Sequence, residues 1–291
     1  MDIKAILMGL AFAAMWSSAF TSARIIVEFA PPLTALACRF LVSGLIGIAI
    51  AKALGQNMNL TRRQWRGVLI FGLCQNALYL GMNFVAMQTI QASLAAIIAS
   101  TMPLLVGLAG WLFMGQKLRP LGVAGLTAGF IGVTIIMWGR LTGGVDVFGL
   151  ALLILGVISL TIATLAVMGA SSGGNVLMIV GLQMLVGSAI LWGPALAFES
   201  FDIAWNWQLI VAFIYTTLVP GLLATWVWFM LVGRIGAVKA STFHFLNPFL
   251  GVAIAAVLLG EKLGADDVLG VIIIAGGILA VQMSKQPVTN R

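Results

Sequence analysis

Ten apolar runs, each about as long as a bilayer's hydrocarbon core is thick, divide this chain almost from end to end. They fall near 5–26, 33–54, 66–87, 91–114, 120–139, 148–169, 175–198, 207–231, 237–259 and 266–284. A helix needs about 20 apolar residues to cross that core, so each run predicts one membrane-spanning helix. The gaps carry turn or charge signals: Pro31-Pro32, Thr61-Arg62-Arg63, Lys117-Leu118-Arg119-Pro120, Gly143-Gly144, Ser171-Ser172-Gly173-Gly174 and Gly264-Ala265-Asp266-Asp267. All are short, so no extramembrane domain is expected to hold separate chemistry. Charged residues make up 8% of the chain, against about 25% in a soluble domain. Hydrocarbon must therefore solvate most of the surface. The expected fold class is an all-α membrane protein, with the lipid bilayer as its first partner.

Several function classes drop out. The sequence pI is near 10, but the basic residues sit in short gaps and form no patch or stripe, which argues against nucleic acid. No Gly-x-x-x-x-Gly-Lys-Ser/Thr run is present, so no nucleotide-driven pump or subunit is expected. No Cys/His cluster has metal-ligand spacing, so neither a metal nor a cofactor is expected. Cys38 and Cys74 lie inside apolar runs and read as small core residues. The first run resembles a signal peptide, but it is longer than a usual apolar core and has a counterpart in the second half, so it is expected to stay as a helix. Gly169-Ala170-Ser171-Ser172-Gly173 matches a nucleophile-elbow pattern. No strand precedes it, so an intramembrane serine hydrolase with His244 as base is a remote reading, and a tight helix–helix turn explains the residues better.

The second half repeats the first. Ile90 to Gly132 aligns with Ile235 to Gly277 at a constant offset. Pro103 then meets Pro248, Gly115 meets Gly260, Lys117-Leu118 meets Lys262-Leu263, Gly125 meets Gly270 and Gly132 meets Gly277. Earlier, Trp65 pairs with Trp207, and Gly9-Leu10-Ala11 with Gly149-Leu150-Ala151. The halves are 1–140 and 148–285, with a tail at 286–291. Each holds five helices, and five is odd, so the second half must enter the membrane inverted. Charge supports this. With the N-terminus inside, eleven Lys and Arg residues fall on the cytoplasmic side and four outside, while seven of eight acids fall outside. The basic hairpin Gln116-Lys117-Leu118-Arg119 and its acidic counterpart Glu261-Lys262-Leu263-Gly264-Ala265-Asp266-Asp267 land on opposite sides. Both termini are expected in the cytoplasm.

Two five-helix halves, each with a proline midway along the fourth helix and a Gly-(Gln/Glu)-Lys-Leu turn after it, resemble the drug/metabolite transporter superfamily. The likeness is closest to its EamA-type ten-helix exporters, and Ala14-Met15-Trp16-Ser17-Ser18-Ala19-Phe20 is similar to their first-helix pattern. Within that group the chain looks most like the YddG-type exporters of aromatic and other neutral amino acids. The resemblance implies two inverted five-helix repeats around a central cavity, lined by the first, third, fourth, sixth, eighth and ninth helices. Gln116 departs from the usual Glu of the first-half turn, which leaves no acid there to act.

Candidate binding residues come from polar and aromatic groups at depth. Asn76, Tyr79 and Asn83 recur at helical spacing on the third helix and read either as cavity lining or as interhelical hydrogen bonding. Ser241, His244 and Asn247 form a stripe on the ninth, ahead of Pro248, and His244 is the only histidine. The matching place on the fourth helix is Ser100-Thr101-Met102-Pro103. Proline frees a carbonyl one turn earlier, so Pro103 and Pro248 read as kinks that also offer acceptors. Trp16, Phe20, Tyr79, Tyr215 and Trp226 lie deep enough to stack on a substrate side chain or simply to pack, whereas Trp65, Trp138, Trp205 and Trp207 read as interfacial anchors. The expected substrate-binding set is Trp16, Asn76, Tyr79, Asn83, Ser100, Met102, Tyr215, Trp226, His244 and Asn247, with no catalytic residue.

The expected function is a secondary carrier that exports neutral, including aromatic, amino acids or similar small metabolites across a bacterial-type inner membrane by alternating access. Efflux of cationic drugs or quaternary ammonium compounds ranks second, because every acid lies at or near the end of a run. A reporter fused after Arg291 should be active only in the cytoplasm, and an Asp266→Cys variant should label only from outside. Labelling of that cysteine only from the cytoplasm would contradict both the orientation and the inversion.

Overall fold

The computed structural model describes residues 3–113, 115, 119–142, 144–167, 173–235, 240 and 242–284. Expectations that concern Gln116, Lys117, Leu118, Ser171, Ser172, Ser241 and the 286–291 tail lie outside them. Among the described residues every regular element is helical. The elements are α1 (Ile3–Phe29), α2 (Pro32–Ala53), α3 (Arg62–Ala86), α4 (Ala92–Phe113), α5 (Pro120–Thr142), α6 (Val147–Val167), α7 (Val176–Phe198), α8 (Trp207–Thr216, Thr217–Leu223 and Ala224–Ile235), α9 (Phe243–Leu259) and α10 (Ala265–Ser284). Among the described residues, nine are long and apolar enough to span a membrane, and α9 is a shorter apolar helix. Trp65, Trp138, Trp205 and Trp207 are exposed, as belt residues would be.

The helices gather into two compact units. One comprises Met1–Thr21, Gln91–Val147 and Val227–Arg291, the other Ser22–Ile90 and Phe148–Trp226. Neither coincides with a sequence half, because helices in equivalent places of the two halves pair with one another. In the first unit α5 packs along α10 and α4 against α9; in the second, α2 packs along α7.

The α5–α10 contact reveals its own symmetry. A Cβ added at Gly125 would lie 2.7 Å from the Gly277 carbonyl oxygen, and one at Gly132 would lie 2.8 Å from that of Gly270. Numbers rise along α5 as they fall along α10, so the helices are antiparallel. The repeat aligns Gly125 with Gly270 and Gly132 with Gly277. Each contact is therefore the image of the other, the signature of an isologous interface. Antiparallel packing of equivalent helices is what inversion of one half requires. The second unit repeats the device: a Cβ at Gly44 or at Gly181 would lie 3.0 Å from the other's carbonyl oxygen, and Ser188 Oγ donates to Ala37 O at 2.8 Å. Lipid supplies no hydrophobic drive between helices, so close backbone approach at small residues carries the association.

Helix ends are tied across the chain. No side chain from α4's own N-terminus caps it; instead Glu261 accepts from Ala92 N at 2.7 Å and Ser93 N at 3.0 Å. Glu199 does the same for α2, accepting from Leu33 N at 2.7 Å, Thr34 N at 2.8 Å and Thr34 Oγ1 at 2.7 Å. At α7 the acceptor is an amide, Gln56 Oε1, 3.0 Å from Met178 N. Each satisfies orphan N–H groups, and the carboxylates also complement the helix dipole. Gly115 and Gly260, aligned in the repeat, both adopt positive φ, 64° and 66°, where a side chain would be strained.

Adjacent glycines on α10 test the pairing. A Cβ at Gly277 would lie 2.6 Å from the Gly125 carbonyl oxygen, whereas one at Gly276 meets nothing within 4 Å. Gly277→Leu should abolish monodisperse protein in detergent, and Gly276→Leu should leave its melting temperature within a few degrees. Equal tolerance of both would contradict the contact.

Candidate functional site

The richest chemical grouping lies in the first unit, where α1 meets the last segment of α8 and the start of α9. Phe12 and Trp16 stand one turn apart on α1 with ring centroids 5.9 Å apart, and Trp228 lies 4.7 Å from Phe12. His244 presents itself edge-on to both, at 5.4 Å from Phe12 and 5.2 Å from Trp228. Phe243 lies against Gly9, where an added Cβ would fall 2.3 Å from the ring. That close approach seats α1 against the turn that carries the histidine.

His244 belongs to a 3₁₀ turn, Thr242–Leu246, and the α-helix resumes at Asn247 with Pro248 in its first positions. The turn brings Asn247 Nδ2 to 2.9 Å from His244 Nδ1. That bond ties the imidazole to the amide across one turn. Ser17 Oγ donates to Asn247 O at 3.3 Å. Asn247 Oδ1 is buried and accepts no hydrogen bond among the described residues. An orphan acceptor of this kind in an apolar interior costs about 1–3 kcal/mol. The grouping thus combines aromatic walls with an amide oxygen that a donor-bearing ligand would satisfy.

The fourth helix is broken at the matching place. Ala92–Ser100 and Met102–Phe113 meet at Thr101, just before Pro103. Ser100 Oγ donates to Ala96 O and Thr101 Oγ1 to Ile98 O, both at 2.6 Å. The serine hydroxyl is therefore bound to its own helix. Met102 is half-buried. Both prolines stand at interruptions, as a missing N–H dictates.

In the second unit the predicted stripe of α3 divides. Residues Gly72–Tyr79 form a π-helical turn, whose wider winding rotates Asn76 away from Asn83. Asn76 Nδ2 donates to Gln183 O on α7 at 2.9 Å, and its side chain packs on Gly187. That is the interhelical hydrogen-bonding role. Tyr79 and Asn83 face Gly156 on α6 instead. Asn83 Nδ2 donates to Tyr79 O at 2.9 Å, and Asn83 Oδ1 is a second buried amide oxygen that accepts nothing among the described residues. Tyr215 is half-buried, and Trp226 is 47% exposed.

Phe12 and Trp228 were missing from the expected set. Phe12 could have been found one turn before Trp16. Trp228 is two residues from Trp226, roughly 200° round the helix, and the sequence does not say which of the two turns inward. An open cleft of about 740 Å³ also lies in the second unit, lined by residues that include Glu28, Phe29, Phe148, Phe198, Glu199 and Asp202. Two of its acids already have partners: Glu199 caps α2, and Glu28 pairs with Arg24 at 3.4 Å.

Comparison with known proteins identifies the architecture. A crystal structure sharing 20% sequence identity superposes with a TM-score of 0.69, covering 97% of this chain and 99% of the other, which establishes likeness of fold. The chain is 27% identical over 273 residues to Uncharacterized transporter YvbV of Bacillus subtilis (strain 168), covering 94% of this chain and 89% of the relative. It is 26% identical over 278 residues to Uncharacterized inner membrane transporter YedA of Escherichia coli (strain K12), covering 93% and 88%. The model of the EamA-like transporter family matches twice, at residues 3–138 and 147–283. This chain, a multi-pass membrane protein, belongs to the EamA-like transporter family.

Proposed function

We propose that this transporter is a secondary carrier for neutral amino acids, including aromatic ones, and that it exports them across a bacterial inner membrane with both of its termini in the cytoplasm. The observation that carries the reading is the group formed by Phe12, Trp16, Trp228, His244 and Asn247. Its rings suit an aromatic or aliphatic side chain. The unpartnered Asn247 Oδ1 suits the donor of a substrate ammonium. The likeness to YddG-type exporters points the same way.

Efflux of organic cations is the second reading, favoured by the acids and phenylalanines of the cleft in the second unit. It ranks lower because cation carriers commonly use a carboxylate within the membrane, and every Asp and Glu in this chain lies at or near the end of an apolar run.

Purified protein in proteoliposomes should take up labelled phenylalanine and leucine, and not tetraphenylphosphonium. Trp16→Ala, Asn247→Ala and His244→Ala should each reduce uptake about tenfold or more, the loss expected when a buried contact or hydrogen bond is removed. Trp205→Ala, on an exposed ring, should not. Uptake of tetraphenylphosphonium alone would favour the second reading. Full amino-acid uptake by all three site variants would overturn the assignment.

A further inference from the structure

Arg39 is a cation placed within a membrane helix with no counter-charge. It lies about 10 Å into α2 by helical rise and is 6% exposed. Among the described residues no carboxylate pairs with it, no oxygen accepts from it, and its Nε is buried without a partner. Its one close electrostatic contact is the ring of its neighbour Phe40, 5.1 Å from the guanidinium carbon. A charged side chain at this depth is costly, and it persists where it meets a pathway, a partner or a ligand.

The surroundings of Arg39 are polar on one side. One turn along α2, Ser43 Oγ donates weakly to Thr217 O at 3.4 Å. Thr217–Leu223 is the π-helical turn of α8, and Pro220 inside it contributes no N–H. Gly221 lets the guanidinium come close to the backbone there: a Cβ at that position would lie 3.6 Å from both Arg39 Nη2 and Ser43 Oγ, and 3.1 Å from Thr216 O. In the matching turn of α3, Asn76 hydrogen-bonds to α7. At Gly221 the missing side chain lets the Arg39 guanidinium and the Ser43 hydroxyl meet over the same stretch of backbone.

We propose that Arg39, with Ser43 beside it, recognises a carboxylate, and that the transported substrate supplies the counter-charge the protein lacks. A guanidinium fork matches a carboxylate in two parallel hydrogen bonds. The geometry also distinguishes substrate from amide or alcohol analogues, which would leave the buried cation unpaired. This inference rests on the amino-acid reading only for the identity of the carboxylate's bearer.

Two experiments separate the inferences. In detergent, sodium benzoate should raise the melting temperature of the wild type and benzamide should not. Arg39→Gln should abolish that difference, and Arg39→Lys, which preserves the charge should Gln impair folding, should keep a weakened one. In proteoliposomes, phenylalanine should compete for labelled phenylalanine at least about tenfold better than phenylalaninol, the scale of a charge-assisted hydrogen bond. In Arg39→Gln that ratio should fall towards one. A wild type that prefers benzoate but carries no amino acid would overturn the amino-acid reading and leave the carboxylate site standing. A wild type indifferent to benzoate over benzamide, or an Arg39→Gln variant that retains either discrimination, would overturn the site.

Discussion

Close antiparallel contact between repeat-equivalent helices is the constraint on which the rest of this structure depends. At the α5–α10 crossing four glycines bring backbone to within van der Waals distance of backbone, Gly125 on Gly277 and Gly132 on Gly270. Hydrocarbon does not push helices together, so contact area at short range must do it. Because the contact maps onto itself under the repeat, one glycine pattern written twice supplies both sides of the interface. Close approach of Gly44 and Gly181 likewise joins α2 to α7. Compact units therefore draw helices from both halves of the sequence.

Polar groups in such a chain are either satisfied within the helices or exposed to something other than lipid. The carboxylates of Glu199 and Glu261 are satisfied at helix N-termini, where two backbone donors and the dipole converge on each. Asn76 is satisfied on the Gln183 carbonyl. What is left over is informative: the amide oxygens of Asn83 and Asn247, the hydroxyls of Thr21 and Ser93 and the Nε of Arg39 are enclosed without partners among the described residues.

Run length is a direct physical signal, and it made the helices legible. The expected 175–198 and 266–284 appear as Val176–Phe198 and Ala265–Ser284. Repeated prolines and the Gly-(Gln/Glu)-Lys-Leu turns made the two-repeat fold legible as well, and the breaks in α4 and α9 stand beside those prolines. Side-chain direction was harder. The π-helical turns in α3 and α8 shift the helical phase, so an even stripe of Asn76, Tyr79 and Asn83 in sequence faces two different neighbours in space. Pro220 hints at the second turn, whereas nothing local marks the first. Glu261 sat in a motif that announced a turn, but its partner, the start of α4, is a tertiary fact that spacing does not encode. Arg39 is one of the four basic residues that the charge pattern puts outside, and its burial, which no local sequence signal marks, distinguishes it.

The expectation for a carrier built this way is transport without obligatory coupling to an ion. Every Asp and Glu lies at or near the end of an apolar run, and proton-coupled carriers commonly hold one within the membrane. His244 is hydrogen-bonded to Asn247 through Nδ1 and packed among aromatic rings. The substrate gradient would then set the direction of transport. Counterflow in proteoliposomes measures this directly: vesicles loaded with unlabelled phenylalanine, with no ion gradient, are diluted into trace labelled phenylalanine. Transient accumulation of label, unchanged when a pH or sodium gradient is imposed, is the predicted result. No counterflow without an ion gradient, or steady accumulation that follows an imposed pH gradient and disappears in a His244→Ala variant that still exchanges substrate, would contradict it.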